Sequence, residues 1–464
     1  MIIITDFLQG IFTNIVCLII VFVIFATISW NDIFSALEMA PKDASLIHPF
    51  HSQQVKDFNA WYYIVMAFTT IYGYMAWQGS QGFNASAKNA HEARMSKIVG
   101  FYRGFAIAAF IMVLPVVAYT LMHLPKFHDI SNSANMLIGT IDNETIQKQM
   151  TVPILLSVYL PKGIAGLFCA IMFAAALCTH DTYMHSWGSI FIQDVVMPFK
   201  KTALSSKQHI WFLRFSILGV AVFAFFFSLL YYQTEYIFMF FAVTGSIFIG
   251  GAGSVIIGGL YWKRGTTAAA WAALITGAVV SVGQVVATQI CKRRGIEFPL
   301  NGMWQSLITS IMSILVYVVI SLAQRKSFNM DKLLHRGEYK IEDNQELATD
   351  IPVRGWRALI GVTQEFTVSD KILYFGTVVW TVVWTAIFVV GTVYNMMFEV
   401  GDKNWELWWK YITIFNIFMG ICTTIWVGIG GFKNMVEMYS ILRKEKVDIK
   451  DDGRVESVAK EGQK

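Results

Sequence analysis

Residues 174–189, which read AAALCTHDTYMHSWGS, place a polar run inside a segment that is apolar over 163–177 and again over 190–196. Four hydroxyl side chains of this run are spaced i, i+3, i+7 and i+10, so they share one face of a helix. They are Thr179, Thr182, Ser186 and Ser189. Polar groups at the depth of a bilayer are costly and usually face a partner helix, a cavity or an ion path. The stripe therefore indicates either hydrogen bonding between helices or a site for a hard cation.

The composition of the 464-residue chain is typical of a membrane protein. Hydrophobic residues make up 55% of it and charged residues 14%, a balance that no soluble domain of this length requires. About ten apolar stretches approach or exceed the roughly 20 residues that cross a bilayer as a helix. They are 7–29, 58–78, 98–122, 163–196, 209–231, 235–262, 267–289, 302–323, 371–395 and 408–431. The predicted fold class is an all-α polytopic membrane protein with about ten transmembrane helices.

The basic residues of the loops predict the orientation. Lysines and arginines follow the second, fourth, sixth, eighth and tenth stretches, which end on one side if the stretches alternate. Because positive residues favour the cytoplasmic side, we expect Met1 and the C-terminal tail to be cytoplasmic and the protein to cross the inner (cytoplasmic) membrane many times. The loop with Lys292, Arg293 and Arg294 departs from this pattern. A net charge of +5 can also indicate nucleic-acid binding, but nothing else supports such a partner.

The sequence gives little support for a disulfide framework, a metal site or an enzyme active site. The five cysteines include no C-x-x-C pair, which argues against a disulfide framework or structural zinc. No nucleophile–base pair, phosphate loop or H-E-x-x-H sequence appears, so we expect no enzymatic activity and no cofactor. His180 and His185 flank Asp181, but histidines five residues apart cannot both aim well at one ion from one helix. The trio favours a hydrogen-bonded or proton-linked network over a metal site.

Several strings, in order along the chain, resemble the sodium/solute symporter family. ITDFLQGIFTN at 4–14 resembles the start of that family's fifth core helix, and YMAWQGSQGFNASAKNAHEARMSK at 74–97 resembles its sixth. GIAGLFCAIMFAAALCTHDTYMHSWGSIFIQD at 163–194 is similar to the eighth core helix. GGLYWKRGTTAAAWAALITG at 258–277 is similar to the junction of the tenth and eleventh, and FNMDKLLHRGEY at 328–339 looks like one subgroup's linker.

The resemblance implies a partial LeuT-like fold, in which inverted repeats enclose a central site between broken helices. Met1 falls at the fifth core helix, so the chain would hold that helix, the second inverted repeat and extra C-terminal helices. The family's first four core helices are not in this sequence. We expect a separate chain or an upstream segment to supply them if the protein is a complete transporter.

The predicted organisation has four parts. Residues 1–325 form a partial transmembrane transporter core, and 326–370 form a charged cytoplasmic linker. Residues 371–431 carry the C-terminal transmembrane helices, and 432–464 form a charged cytoplasmic tail. This organisation predicts the lipid bilayer as a partner of the protein.

The resemblance places the family's sodium site at the Ala175 carbonyl and at the side chains of Cys178 and Thr179. Sodium prefers oxygen ligands, and Thr179 offers a hydroxyl. Cys178 stands where the family has Ser or Thr, and a thiol is a poor sodium ligand. In the simpler alternative, Cys178 and Thr179 pack and hydrogen-bond to their own helix. Sodium is the predicted coupling ion, with no other metal.

Two acidic residues form the predicted ion exit path. Asp6 resembles the family's aspartate beneath the sodium site, where it would attract a cation leaving toward the cytoplasm. Asp181 lies in the polar run next to Thr182. As an alternative for Asp6, an acid near a helix N-terminus is favoured by the helix dipole alone.

The second apolar stretch carries the predicted solute contacts. The resemblance places the family's sugar-stacking aromatic near Tyr74 and its recurrent glutamine near Gln78, close to Thr70. The family's sugar-binding glutamine on the tenth core helix falls at Ala242, so the chain departs from a hexose site. Glycines in this stretch would allow a helix break that exposes backbone groups to a ligand. The alternative is an interfacial aromatic belt with close helix packing.

These residues together predict sodium-coupled symport of a small polar solute, such as a sugar or an amino acid, by alternating access. The symport machinery would be incomplete in this chain alone. The alternative is a non-transporting fragment, sensor or scaffold derived from a symporter.

Overall fold

A computed structural model describes residues 2–51, 55, 57–77, 79, 81–87, 89–200, 204–231, 236–296, 298–333, 339, 362, 365–398 and 400–444. The regular structure of these residues is helical. The helices are α1 Ile2–Thr27, α2 Trp30–Leu37, α3 Ala60–Gly73, α4 Gln81–Ala85, α5 Ala90–Arg103, α6 Phe105–His123, α7 His128–Ile138, α8 Glu144–Tyr159, α9 Lys162–Ile190, α10 Met197–Phe199, α11 Ser206–Leu230, α12 Ile237–Tyr261, α13 Thr267–Arg293, α14 Gly302–Gln324, α15 Met330–Leu333, α16 Val368–Met397 and α17 Asp402–Lys444. A π-helical turn, Phe191–Val196, joins α9 to α10.

Within the described residues, nine helical segments are long and apolar enough to cross a bilayer. They confirm the all-α polytopic fold class and correspond to nine of the ten predicted stretches. The stretch predicted over 58–78 is different, because α3 ends after 14 residues at Gly73 and a 3₁₀ turn, Tyr74–Ala76, follows. A Cβ atom at Gly73 would lie 2.6 Å from the Ile249 side chain of α12, so this close approach requires glycine. The expected helix break is present, so this stretch is not a single continuous helix of membrane length in the described residues.

The largest hydrophobic cluster lies where α1, α6 and α8 pack together. Ile20 and Ile24 of α1, Leu121 of α6 and Leu155 of α8 are fully buried there. Ile171 of α9 joins the same cluster. Lipid tails are as apolar as these side chains, so close packing is what holds such helices together in a bilayer. The cluster fixes α1 beside α9, the helix that carries the polar run.

Small residues bring α12, α13 and α14 into close contact. A Cβ atom added to Gly251 of α12 would lie 2.6 Å from the Leu274 Cα atom of α13. One added to Gly250 would lie 2.7 Å from the methyl group of Thr309 in α14. Such distances leave room for a hydrogen atom and nothing larger, as in other membrane helix pairs built on small residues. The three helices therefore form one tightly packed unit.

The C-terminal helices differ in burial. The 43-residue α17 packs on α6, where a Cβ atom at Gly420 would lie 2.9 Å from the Ala106 Cα atom. No described residue of α11 or α16 is buried, so these two helices present most of their surface outward. Large apolar side chains facing outward are expected where lipid is the solvent.

The structure describes both ends of the predicted linker and the start of the predicted tail. The Phe328 amide donates to the Lys263 carbonyl at 2.8 Å, which fixes the start of the linker near α12. At its other end, His91 of α5 lies 3.3 Å from the Asp370 carboxylate of α16. Most of 334–364 and all of 445–464 lie outside the described residues. Helix α17 continues through 432–444, so the described part of the predicted tail is helical.

We expect Gly277→Ala to destabilise the protein by about 1–3 kcal/mol, because overpacking forces backbone shifts. The new Cβ atom would lie 2.6 Å from the Gly251 amide nitrogen. Gly283→Ala on the same helix is the matched control, since nothing lies within 4 Å of its added Cβ atom. Apparent melting temperatures in detergent compare the two variants. Equal melting temperatures would contradict close packing of α12 on α13.

Candidate functional site

Two hydroxyl groups of the α9 stripe reach other segments of the chain. Thr182 Oγ1 donates a hydrogen bond to Asp6 Oδ2 of α1 at 2.9 Å. Ser186 Oγ donates to the Gly79 carbonyl at 2.9 Å, and both ends of this bond are buried. The stripe therefore ties α9 to the start of α1 and to the segment that follows the break of α3. The Thr182–Asp6 bond is an interhelical contact of the kind that polar residues make in membranes.

The other two hydroxyl groups of the stripe bond within α9. Thr179 Oγ1 donates to the Ala175 carbonyl at 2.8 Å, and Ser189 Oγ donates to the Ser186 carbonyl at 3.0 Å. Ala175 and Thr179 are exposed, whereas Ser186 is buried. At the first turn of the polar run, Thr179 thus bonds to its own helix, as the alternative to a sodium site predicted. The oxygen atoms of Ala175 and Thr179 face outward.

Asp6 lies at the centre of a small polar cluster between α1 and α9. Its Oδ2 atom accepts the Thr182 hydrogen bond, and the Cys178 thiol lies beside the same carboxylate. Its Oδ1 atom is buried without a hydrogen-bond partner among the described residues, and so is Gln9 Oε1 one turn later on α1. Unpartnered buried oxygens are uncommon, and each calls for an explanation such as an ion or a water molecule.

The electrostatics of this cluster are mixed. The charges of Asp6, Asp181 and Arg103 all act on the Cys178 thiol. Arg103, at the end of α5, reaches α1, since a Cβ atom at Gly10 would lie 3.4 Å from its Nη1 atom. Two carboxylates and one guanidinium leave the neighbourhood with a net negative charge. A cation is therefore favoured there over an anion.

A half-open cavity of about 400 Å³ adjoins the cluster. It lies between the start of α1, the short helix α4 and the polar run of α9. Its lining is mostly apolar, with hydroxyl groups and one imidazole on the α9 and α4 sides. The lining residues are Ile2, Ile3, Gly82, Phe83, Ser86, Thr182, His185 and Ser186. Thr182 therefore contacts both the cavity and Asp6.

The segment after the α3 break is docked onto α9. The Trp77 ring meets the Tyr183 ring edge to face, with centroids 5.6 Å apart. A Cβ atom at Gly79 would lie 2.9 Å from the Tyr183 ring, so only glycine fits between the two aromatic rings. Together with the Ser186 hydrogen bond, these contacts make α9 the support of the broken helix.

The structure brings some of the predicted site residues together and separates others. Asp6 of the predicted exit path and Cys178 of the predicted sodium site lie in one cluster, whereas Asp181 is exposed. The predicted solute residues Thr70 and Tyr74 are exposed on α3 and its 3₁₀ turn, and neither lines the cavity.

The other two predicted solute residues are placed differently. Ala242 packs against a cluster that contains Tyr62 and Met239, away from the cavity lining. Gln78 lies outside the described residues.

Sequence reasoning missed two features of the site. It did not pair Thr182 with Asp6, although Thr182 was in the stripe and Asp6 was a predicted exit residue. It also missed the cavity residues of α1 and α4, such as Ile3 and Phe83. The run GSQGFNAS at 79–86, in which glycines and polar residues surround Phe83, is the signal that could have indicated a ligand-facing segment.

A family model described as the sodium:solute symporter family (SSF) matches residues 2–277, more than half of the 464 residues. The match runs from the start of α1 into α13 and includes all of the predicted site residues. A comparison with curated proteins gave no match.

We expect Thr182→Val, in sodium-free buffer, to destabilise the protein by about 0.5–1.5 kcal/mol, because Asp6 loses an interhelical hydrogen bond. Thr179→Val is the matched control on the same helix, since its hydroxyl bonds only to the Ala175 carbonyl. Melting temperatures in detergent measure the difference. Equal losses in the two variants would contradict the contact between α1 and α9.

Proposed function

The chain belongs to the sodium:solute symporter family, and on this basis we propose that it couples the entry of sodium to the uptake of a small polar organic solute by alternating access. The family supports sodium-coupled solute transport in general. The observation that carries the proposal for this chain is the α9 stripe, which joins Asp6 to the segment after the helix break. One helix thereby touches both a cation-attracting group and the proposed solute segment.

Sodium would bind at the first turn of the polar run. The Ala175 carbonyl and the Thr179 hydroxyl offer two neutral oxygen ligands, the type that a hard cation prefers. Cys178 is a poor ligand, and its place beside Asp6 suits a role in the exit path instead. Because Ala175 and Thr179 are exposed, further ligands have to come from a segment packed against this face. A partner segment that covers this face would provide it.

Asp6 would receive the ion on its way to the cytoplasm. Its unpartnered Oδ1 atom and the unpartnered Gln9 Oε1 atom offer two oxygens one turn apart on α1. Thr182 holds the carboxylate in place through Oδ2. Asp181, exposed on the same helix, would add negative charge to the path. The driving force is the sodium gradient, since moving one charge through 100 mV supplies about 2.3 kcal/mol.

The solute would bind at the break of α3. Thr70, Tyr74 and Gln78 provide hydroxyl, aromatic and amide groups, a set that suits a sugar, an amino acid or a similar compound. Ala242 would provide an apolar contact on α12. Sodium bound on α9 would stabilise the closed position of the break, because Ser186 holds the Gly79 carbonyl. The cavity beside Thr182 would then be the inner vestibule for release.

The proposed orientation places the basic loops, Met1 and the C-terminal tail in the cytoplasm. The four-part organisation follows, with 1–325 as the transport core, 326–370 as the linker, 371–431 as the C-terminal membrane helices and 432–464 as the tail. The protein would lie in the inner membrane as a multi-pass protein. It has no proposed enzymatic activity.

One observation favours a second candidate. The sodium-binding face of α9 is exposed in the described residues, so the chain by itself offers too few oxygens for a tight site. A chain that never acquires the covering helices would be a non-transporting sensor or scaffold. The experiment below separates the two possibilities.

We expect Thr179→Ala to weaken the binding of radioactive sodium by about tenfold, equivalent to about 1.4 kcal/mol, and to abolish sodium-driven uptake. The protein is reconstituted with and without any segment encoded in frame before Met1, and radiolabelled sugars and amino acids are screened. Thr385→Ala is the matched control, since this exposed threonine also bonds only within its own helix, to the Thr381 carbonyl.

The outcomes of this experiment are distinct. Uptake that ignores the sodium gradient would rule out coupling, and sodium binding unaffected by Thr179→Ala would rule out the proposed site. Absence of both binding and uptake in every preparation would favour the sensor or scaffold.

A further inference from the structure

Tyr72, one residue before the end of α3, reaches into the backbone of α12. Its hydroxyl donates a hydrogen bond to the Gly250 carbonyl at 2.6 Å and accepts one from the Ser254 amide at 2.8 Å. These two backbone groups are four residues apart, so they are the two ends of one α-helical hydrogen bond. We name this pair of contacts the Tyr72 bridge.

Close packing surrounds the Tyr72 bridge on both helices. Tyr72 is buried, and its ring stacks on Phe68 of the same helix at 5.7 Å. A Cβ atom at Gly253 would lie 2.5 Å from the Tyr72 ring, so the ring occupies the space that any other residue would fill. Gly73 is in similarly close contact with Ile249. The end of α3 is therefore seated in a groove of α12.

The bridge has a specific physical effect within a bilayer. Backbone groups in hydrocarbon must be hydrogen-bonded within the protein, so an unassisted opening of one helical turn is costly. A side chain that inserts into the helical hydrogen-bond ladder is a recognised cause of bending. Because the Tyr72 hydroxyl satisfies both the carbonyl of Gly250 and the amide of Ser254, this turn of α12 can open without leaving either group unpaired.

The same turn of α12 also packs closely on both other helices of the three-helix unit. Gly251 lies against the α13 backbone, and Gly250 lies against Thr309 of α14. A change in the position of the α3 break is therefore passed through one turn of α12 to two further helices. Thr69 of α3 also donates a hydrogen bond to the Met303 sulfur atom of α14, at 3.9 Å. The Tyr72 bridge differs because it engages the backbone of α12, and hydrogen bonds fix orientation where packing alone does not.

We propose that Tyr72 is a positioning residue, which sets the geometry of the Gly250–Ser254 turn of α12 according to the position of the α3 break and so couples the solute segment to the α12–α14 unit. This inference rests on the proposed function for its role in transport. The coupling between the two helices is a property of the folded chain and is tested without transport.

The test is hydrogen–deuterium exchange of the full chain in detergent. We expect Tyr72→Phe to speed exchange at least about threefold in both 68–77 and 250–258, the effect of losing an interhelical hydrogen bond of average strength. Tyr317→Phe is the matched control. Tyr317 is a buried tyrosine of α14 that packs against Gly258 of α12, and its hydroxyl makes no hydrogen bond within the described residues. Unchanged exchange of 68–77 in a folded Tyr72→Phe variant would overturn the proposal.

A second variant tests the bridge from the side of α12. Gly253→Ala should displace the Tyr72 ring and speed exchange in 68–77, although the substitution is on another helix. Gly259→Ala should leave 68–77 unchanged, because nothing lies within 4 Å of its added Cβ atom. The same response to both alanine variants would overturn the proposal.

Transport kinetics separate a positioning role from a structural one. Tyr72 touches none of the proposed ligand groups of sodium, so Tyr72→Phe should lower the maximal uptake rate and leave the sodium concentration for half-maximal uptake within about twofold. A loss of sodium affinity with an unchanged maximal rate would overturn the positioning role. Wild-type uptake that does not depend on sodium would reject the proposed function, while the exchange measurements would still decide the coupling between α3 and α12.

Discussion

Hydrocarbon cannot hydrogen-bond, and the arrangement of the polar residues follows from that constraint. Wherever the chain carries a polar side chain at membrane depth, the described structure gives it a partner on another helix or on its own backbone, with few exceptions. Thr182 meets Asp6, Ser186 meets the Gly79 carbonyl, and Tyr72 serves two backbone groups of α12. Nine buried side-chain oxygen and nitrogen atoms of the described residues have no such partner. Two of them, Asp6 Oδ1 and Gln9 Oε1, lie one turn apart on α1, and Asp6 is hydrogen-bonded to Thr182, which lines the cavity. The unpartnered oxygens are therefore the most informative atoms of the site.

Local patterns were sufficient to predict most of the helices. Apolar length alone identified nine membrane-spanning segments of the described chain, because a bilayer sets the length of its helices. The remaining predicted stretch, 58–78, is broken for a reason that the sequence also contained, since Gly73 interrupts it and α3 ends there. The stripe at Thr179, Thr182 and Ser186 was likewise visible as a spacing, because side-chain direction in a helix repeats every 3.6 residues.

The partners of those residues could not be predicted in the same way. Thr182 and Asp6 are 176 residues apart, and Tyr72 and Gly250 are 178 apart, so no local period relates them. Which half of a stripe turns inward depends on the neighbouring helix, and the structure divides this one between inward Ser186 and outward Thr179. Resemblance to a family predicted which residues matter, whereas their contacts required the packed structure.

The length of α17 has a mechanical consequence. A helix of 43 residues is about 65 Å long, while the hydrocarbon core is about 30 Å thick, so a large part of this rod stands in water even at a steep tilt. The charged residues Lys433, Glu437, Arg443 and Lys444 near its end are consistent with that placement. Because α17 packs on α6 at Gly420 and on α1 at Gly431, a small tilt of these two helices moves the end of α17 beyond Gly431 through a larger distance. Small motions of the transmembrane helices therefore become larger displacements of the end of α17, outside the lipid.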